Sequence, residues 1–172
     1  MKWFWLTLAL LVGLVVLVVT IGALLPKEHV ATRAAHFHQP PAAIWAAITD
    51  LDAFPSWRPG VKSVERLPDH NGLLAWREVD NHGQAIPFEV VVSAPPQRLV
   101  ARIADPKLPF GGTWAYEIRA TGGCELRITE HGEVYNPVFR FMSRFVFDNH
   151  STMDAYLRAP GQKFGEIVTL ED

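Results

Sequence analysis

Residues 40–65, "PPAAIWAAITDLDAFPSWRPGVKSVE", contain the change of pattern that decides the fold. The first ten residues, 40–49, predict a short helix, because two prolines suit a first helical turn and apolar residues follow. The next stretch, "DLDAFPSWRPGV" (50–61), is a turn that includes Phe54 and Trp57. A proline-bounded turn with two large aromatic side chains must bury them somewhere. We therefore expect this turn either to form the rim of a cavity or to plug one end of the core.

After the turn the apolar residues recur with a period of two, which is typical of strands. The alternating runs are 61–67, 73–79, 85–93, 98–104, 113–120 and 124–134. Turn signals such as "PDHNG", "DNHG" and "TGG" separate them. With one more strand at 31–39, ahead of the short helix, the sequence predicts about seven strands, the last six forming an antiparallel meander.

The final element is predicted to be a long helix. Asn136 is a good capping residue and Pro137 suits the first helical position. Apolar residues at 138, 141, 142, 145, 153 and 156 fall on one face. Pro160 should end or kink this helix, because proline lacks the N–H that the next turn needs. Arg140, Arg144 and Arg158 lie on the other face, which favours either solvent or anionic headgroups.

Length and composition exclude several classes of protein. The chain has 172 residues, 49% of them apolar, which is enough for one domain with a core. A formal net charge of -2 gives no basic surface for nucleic acid, so we expect no nucleic-acid partner. Cys124 is the single cysteine, which excludes an internal disulfide. His36 and His38 share one side of a strand but lack an evident third ligand, so we expect neither a metal nor a cofactor.

Residues 3–25 form an uncharged run of 23 residues, long enough to cross a bilayer. Trp3 and Trp5 stand where a headgroup belt would place them. A cleaved signal peptide has a shorter apolar region and ends in a small-x-small site, which is not evident here. The sequence therefore predicts a single-pass membrane anchor over residues 1–26 and a domain over 27–172. We expect the domain to lie outside the cytoplasm.

This order of elements resembles the START/Bet v 1-like helix-grip superfamily (SRPBCC), in particular its bacterial polyketide cyclase/dehydrase and lipid-transport branch. The resemblance covers roughly residues 30–165 and includes "PFGGTWAYEI" and "ITEHGEVYNPVFRF". In the first motif the matching positions are Pro41, Trp45, Asp50, Phe54, Trp57 and Val61. The resemblance implies an α+β fold in which a curved antiparallel sheet of about seven strands wraps a long C-terminal helix around an apolar cavity. It also implies that the turn at 50–61 belongs to the cavity rim.

Strand parity predicts which side chains face that cavity, since alternate residues of a strand share a face. The aromatic members of the inward parity are Trp76, Phe88, Trp114 and Tyr116. Together with Phe54 and Trp57 from the turn, and Phe141, Phe145 and Asn149 from the final helix, they form the predicted ligand-binding set. The opposite parity carries charged residues such as Glu89, Arg102 and Glu117, which predicts a solvated outer face.

Two carboxylates, Glu78 and Glu130, extend the inward parity. A carboxylate inside a cavity can bind a polar ligand group or act as a general acid or base. The alternative is that both stand at strand ends, where the inner face meets water. Asn149 similarly either hydrogen-bonds a ligand or holds a water molecule.

The sequence predicts a membrane-tethered domain that binds a hydrophobic small molecule or lipid. One alternative is a cyclase or dehydratase acting on a polyketide-like aromatic substrate, with Glu78 and Glu130 as its catalytic candidates. A third class is an interaction module for a membrane partner protein, which would have a filled core and an exposed apolar patch. The pattern leaves the oligomeric state open.

Overall fold

One antiparallel sheet is the frame of the domain. The structure, a computed structural model, describes residues 1–146 and 151–171. In these residues eight strands pair in the order β2-β3-β4-β5-β6-β7-β1-β8. Their bounds are β1 Glu28–Phe37, β2 Val61–His70, β3 Leu73–Asp80, β4 Ala85–Ala94, β5 Arg98–Ile103, β6 Phe110–Ala120, β7 Cys124–Val134 and β8 Leu170–Glu171. The α+β fold, the strand at the start and the six-strand meander are confirmed, and β8 adds one short pairing with β1.

Two small helices and a longer one pack with the sheet. The first is α2 (Pro41–Thr49), which begins at a proline as the sequence predicts. A single 3₁₀ turn then leads into α3 (Phe54–Trp57), four residues long. The helix α5 (Ser151–Phe164) packs against β1 and α3. It runs through Pro160 rather than ending there, because the fully buried proline ring packs in the core.

The C-terminal helical region is described as two helices. The first, α4 (Pro137–Phe145), is capped by Asn136, whose side chain accepts from the N–H of Val138 at 2.8 Å and of Phe139 at 3.3 Å. It ends where Val146 leaves helical geometry, with φ −122° and ψ −42°. The predicted N-cap is therefore confirmed, while α4 and α5 are separate elements in the described residues.

The core lies between the inner face of the sheet, α2 and α5. Its fully buried side chains include Ile44, Leu51, Leu126, Ile128, Met153 and Leu157. Truncating any one of them to alanine removes roughly 2–5 kcal/mol of unfolding free energy. This packing fixes α5 across the sheet and so determines the space left between them.

Strand parity holds along most of the sheet, and its departures include Val92 and Glu89. Val92 is exposed rather than inward, because the register between β4 and β5 shifts between Val90 and Val92. Glu89 lies on the outer face but is only 7% exposed, because His70 and Arg102 cover it and hydrogen-bond its carboxylate. These two hydrogen bonds lower the pKa of Glu89.

Residues Lys2–Leu24 form α1, a helix of 23 residues. Among the described residues it is the one helix long and apolar enough to cross a membrane. At about 1.5 Å per residue it is about 35 Å long, slightly more than a hydrocarbon core of about 30 Å. Its length and position fit a membrane anchor or a signal sequence.

Candidate ligand-binding cavity

A cavity of about 330 Å³ lies between the inner face of the sheet and the first turn of α5. Its aromatic wall is formed by Trp76, Phe88, Phe110, Trp114 and Tyr116. Its aliphatic wall is formed by Ile86, Ala101, Ile103 and Val134. The polar residues that reach it are His29, Arg58, Glu78, Glu130, Glu133 and Thr152. Small-molecule sites in proteins have this character, mostly apolar with a few placed polar groups.

Cross-strand pairing holds the aromatic wall in place. Trp76 on β3 lies opposite Phe88 on β4, and their rings stack 5.4 Å apart. Trp114 on β6 lies opposite Ala101 on β5, so a small residue leaves open space beside the indole. Trp114 also contacts the ring of Tyr156 on α5 edge-on at 5.9 Å. Neighbours on both sides therefore fix these rings, and the wall is formed without a ligand.

The charged groups deepest in the cavity neutralise each other. Arg58 Nη1 donates to Glu78 Oε1 at 2.5 Å, and Trp76 Nε1 donates to the same oxygen at 2.9 Å. The Arg58 guanidinium also lies over the rings of Phe54 and Tyr156, 4.7 and 4.9 Å from their centres. Burial by itself lowers the pKa of Arg58, but the Glu78 carboxylate and the Tyr156 and Tyr116 side chains together outweigh this effect, and the pKa is raised. Arg58 therefore stays charged, and Glu78 is its counter-ion.

Two tyrosines stand beside this ion pair. Burial raises the pKa of Tyr116 well above its usual value and that of Tyr156 to about 12. Their ring centres are 5.5 Å apart, so the two side chains are direct neighbours. Both are therefore neutral phenols at physiological pH. They can hydrogen-bond a ligand, but they are not bases or nucleophiles.

A second polar group stands at the end of the cavity where α1 meets the sheet, and we call this end the mouth. His29 Nε2 lies 3.8 Å from Glu130 Oε1, and both side chains are partly exposed. Gly132 is paired with His29 across the strands, and a Cβ at this glycine would overlap the imidazole ring. The main chain of Val134 donates to the carbonyl of Lys27 at 2.8 Å, just after α1 ends. The mouth is therefore held close to the end of α1.

The structure brings the predicted strand residues together. Trp76, Phe88, Trp114, Tyr116, Glu78 and Glu130 all line the cavity. Phe54 and Trp57 do not: Phe54 is 2% exposed in the core, and the Trp57 ring packs on Phe54 at 5.6 Å and on Tyr156 at 5.9 Å. The turn at 50–61 therefore closes the end of the core, and Arg58 is the residue that it sends into the cavity.

The residues predicted on the final helix do not line the cavity in the described part of the chain. Phe141 and Phe145 lie on α4, outside the cavity wall, with their rings 4.9 Å apart and Phe145 60% exposed. Arg140, predicted to face solvent or headgroups, is buried instead against the end of α1. Asn149 lies outside the described residues, so its predicted role stays a prediction.

Sequence reasoning missed His29, Arg58 and Tyr156. Tyr156 was assigned only to an apolar face, where its spacing puts it. Arg58 belongs to a turn, so strand parity gives no information about its direction. His29 precedes the predicted first strand, which begins earlier than its alternation suggests, at Glu28. For His29 the available signal was Gly132, because a glycine inside a strand often marks the close approach of another group, here the imidazole ring.

Other candidate sites are weaker. No cluster of three or more His, Cys, Asp or Glu side chains that would hold a metal occurs in residues 1–146 and 151–171. A groove of about 540 Å³ crosses the far end of β5 and β6, where Arg98 and Glu117 are 3.7 Å apart. Its charged walls are those of a solvated outer face rather than of an apolar ligand site.

Solved structures share this architecture. Norcoclaurine synthase from Thalictrum flavum is 12% identical with a TM-score of 0.62, over 81% of this chain and 88% of that one. Ara h 8.0201 is 12% identical with a TM-score of 0.60, over 81% and 99%. The di-domain ARO/CYC BexL from the BE-7585A biosynthetic pathway is 13% identical with a TM-score of 0.58, over 86% of this chain and 50% of that one. At these identities the likeness shows the fold alone.

Sequence comparison is more specific about the family. Proteins of curated function provide no match to this chain. The family model for polyketide cyclase / dehydrase and lipid transport, in contrast, matches residues 28–158. This range includes strands β1 to β7 and more than half of α5, and it leaves out β8. Because this match covers most of the chain and agrees with the Bet v 1-like sheet and its cavity, the chain belongs to the polyketide cyclase / dehydrase and lipid transport family.

Proposed function

We propose that this protein is a membrane-anchored binding domain that takes up a small, uncharged hydrophobic molecule. In this proposal residues 1–26 are the anchor and residues 27–172 are the binding domain, outside the cytoplasm. The observation that carries the proposal is the aromatic cavity, because the charges deepest in it, Arg58 and Glu78, are already paired. A pocket with this lining gains free energy from apolar ligand surface, and its deepest part offers no unpaired charge to a charged ligand.

The size of the cavity limits the ligand. A volume of about 330 Å³ lies at the small end of the range of about 300–1,000 Å³ that ligand pockets span. This space accommodates one ring system or part of a single acyl chain. A two-chain phospholipid would have to leave most of its surface outside. We therefore favour a compact ring-containing or isoprenoid-like molecule.

The charges at the mouth also limit the ligand. Glu130 and Glu133 both line the cavity at this end, with His29 as the nearest basic side chain. A ligand carboxylate or sulfonate would meet two carboxylates here and the already paired Arg58 further in. Neutral polar groups are better suited, because the Tyr116 and Tyr156 hydroxyls and the Thr152 side chain lie at or next to the cavity. The mouth therefore disfavours an anionic ligand, and we propose an uncharged one with neutral polar groups.

Tethering supports the same function. A hydrophobic molecule is scarce in water and concentrated in the bilayer. An anchor of the length of α1 holds the domain next to that reservoir and raises its effective concentration there.

Two related naphthylamine probes test the proposal. N-phenyl-1-naphthylamine is neutral, and 1-anilinonaphthalene-8-sulfonate has a similar ring system with one added negative charge. Each is titrated into the full chain in nanodiscs, and bound probe is counted by native mass spectrometry, which also reveals any lipid that co-purifies. We expect one equivalent of the neutral probe and at least about tenfold weaker binding of the anionic one, or about 1.4 kcal/mol.

A matched pair of variants locates the binding. Ile86→Trp places a large ring in the cavity, whereas Ala85→Trp places it on the outer face of the same strand. Binding of the neutral probe should be lost in Ile86→Trp and kept in Ala85→Trp. Equal binding by the two variants, or no binding by the unmodified protein, would overturn the proposal.

One observation favours an enzyme as the second candidate. Glu130 and His29 are within 3.8 Å at the mouth, and together they would be able to exchange a proton with a bound substrate. Glu78 is less suited, because Arg58 and Trp76 already donate to its carboxylate. The test is turnover of polyketide-like aromatic substrates by the unmodified chain and by Glu130→Gln. Turnover that Glu130→Gln abolishes without a change in melting temperature would replace the binding function by a cyclase or dehydratase.

A further inference from the structure

The apolar face of α4 points away from the domain. Phe139 is 51% exposed and Phe145 is 60% exposed, and Val138 and Val146 beside them are also exposed. These residues and Met142 fall on one side of the helix, while Arg140, Ser143 and Arg144 fall on the other. In water such a face is costly, and large exposed apolar patches mark sites of contact with a partner or a membrane.

The contact between α4 and α1 shows what lies next to this face. Gly22 of α1 is buried under the first turn of α4, and a Cβ there would overlap the carbonyl group of Pro137. Gly22 is two residues from the end of α1, or about 3 Å along its axis. A helix that packs at this position on a membrane-spanning helix lies at the level of the bilayer surface.

Arg140 fixes the rotation of α4 about its axis. Its Nη1 donates to the carbonyl of Leu25 at 2.9 Å and of Ala23 at 3.5 Å, and its Nη2 donates to the carbonyl of Tyr135 at 3.3 Å. The carbonyls at the end of a helix have no partner within the helix, so this guanidinium satisfies groups that α1 itself leaves open. With Arg140 bound on one side, the phenylalanines are held on the other.

A second groove in this region adjoins the cavity. It has a volume of about 280 Å³ and lies between the end of α1, the start of β1 and α4. His29 and Val134 line both this groove and the ligand cavity. Lys27, Arg140 and Arg144 also line it, with Glu28 as the one acidic side chain among its described residues, so the groove has a net positive charge, which anionic headgroups prefer.

We propose that α4 is an interfacial helix that inserts its apolar face into the bilayer beside α1 and so holds the cavity mouth against the lipid. The partner is the lipid surface itself. An amphipathic helix of this kind lies in the plane of the membrane with its apolar face about 5–10 Å into the headgroup and acyl boundary. This inference deepens the proposed function and rests on its membrane anchor, but it does not depend on which ligand is bound.

Site-directed fluorescence on the full chain tests this placement. The nitrobenzoxadiazole label is attached to Phe139→Cys or Phe145→Cys, with Arg144→Cys on the opposite side of the same helix and Lys62→Cys on the exposed β2 as controls. Cys124 does not interfere, because it is buried and its burial raises the pKa of its thiol to about 11. The protein is placed in nanodiscs of phosphatidylcholine and phosphatidylglycerol, with and without nitroxide-labelled acyl chains.

We expect blue-shifted emission and strong quenching by the nitroxide lipid at positions 139 and 145. The two control positions should instead be quenched by aqueous iodide. The inference is overturned if iodide quenches positions 139 and 145 as strongly as position 62. It is also overturned if neither quencher reaches them, since a protein partner or a second copy would then cover the face.

A second measurement separates this inference from the proposed function. The double change Phe139→Ser/Phe145→Ser should slow delivery of the neutral naphthylamine probe from donor vesicles to the protein while leaving its equilibrium affinity unchanged. An unchanged delivery rate would contradict the role of α4. Failure of the probe to bind at all would refute the proposed function, while the quenching result would still decide where α4 lies.

Discussion

Glu78→Gln is the most informative single change in the cavity, because it removes one charge of a buried pair and preserves the shape of the side chain. In the structure Glu78 accepts hydrogen bonds from Arg58 and from the indole of Trp76. Glutamine can still accept through its amide oxygen, but it offers Arg58 no negative charge. The change therefore tests whether the neutrality of the cavity depends on this pair.

The expected effect on stability is large. Arg58 cannot escape by losing its proton, because its pKa is raised above an already high ordinary value. Leaving a buried charge without its partner costs about 3–5 kcal/mol, and the retained amide hydrogen bond favours the lower end of that range. At about 2–4 °C per kcal/mol for a domain of this size, a loss of 3 kcal/mol lowers Tm by roughly 6–12 °C.

A double-mutant cycle on the full chain in detergent is the assay. Thermal unfolding is followed by tryptophan fluorescence for Glu78→Gln, Arg58→Met and the double variant. Methionine retains much of the apolar packing against the Phe54 and Tyr156 rings without the charge. The double variant should be more stable than Glu78→Gln alone, because removing both charges of a buried pair is far less costly than removing one.

A surface pair is the matched control. Glu65 accepts from Arg77 at 2.7 Å on the exposed outer face, and Glu65→Gln should cost less than about 1 kcal/mol. If Glu78→Gln is no more costly than Glu65→Gln, the cavity pair is solvated like a surface pair, and the cavity no longer favours an uncharged ligand. If the double variant is less stable than Glu78→Gln, the unpaired Arg58 charge is not the source of the loss.

Three further changes test other parts of the molecule. Trp57→Ala should lower the unfolding free energy by about 3 kcal/mol, because the ring packs between Phe54 and α5, while calorimetry of the neutral probe shows less than a tenfold change in affinity. Glu89→Gln should make Tm depend less on pH under acidic conditions, as thermal melts at a series of pH values would measure. The pKa of Glu89 is lowered in the folded protein. The stability that its carboxylate contributes is therefore present above the unfolded pKa of about 4.3 and is lost as pH falls through the folded pKa. Gly22→Leu should separate α1 from α4, and protease cleavage after Arg144 should then increase. Gly13→Leu is the control, because Gly13 has open space around it and its replacement should leave cleavage unchanged.

Much of the fold was predictable because the sheet follows a local rule. Side chains of period two, punctuated by Gly, Pro, Asn and Asp, define β2 to β7 to within a few residues at each end. The departures occur where tertiary contacts outweigh the pattern. The bulge after Val90 turns Val92 outward, and burial of the Pro160 ring allows α5 to pass a residue that normally ends a helix.

The candidate site was predictable to the extent that it is made of strands. Parity placed Trp76, Glu78 and Trp114 in the cavity, because a strand side chain has only two directions available. Arg58 follows a four-residue helix and precedes Pro59, where no period applies. Its direction is decided by the attraction of Glu78 across the cavity, which is a contact between residues 20 positions apart.

The helix α4 shows a different limit, because its pattern was read correctly and its surroundings were not. Hydrophobic periodicity indicates that one face of a helix is buried away from water, but it does not indicate whether protein or lipid covers that face. The expectation that Phe141 and Phe145 face the cavity assumed that the domain has to cover every apolar face. In the proposed function residues 3–25 of the same chain anchor it in a bilayer, a second apolar medium next to the domain, and α4 packs against the end of that segment. When a membrane anchor lies this close to a domain, an apolar helix face next to it can be covered by lipid as readily as by the protein core. Arg140 lies among phenylalanines in the sequence, and its hydrogen bonds to the end of α1 indicate which side of α4 faces protein.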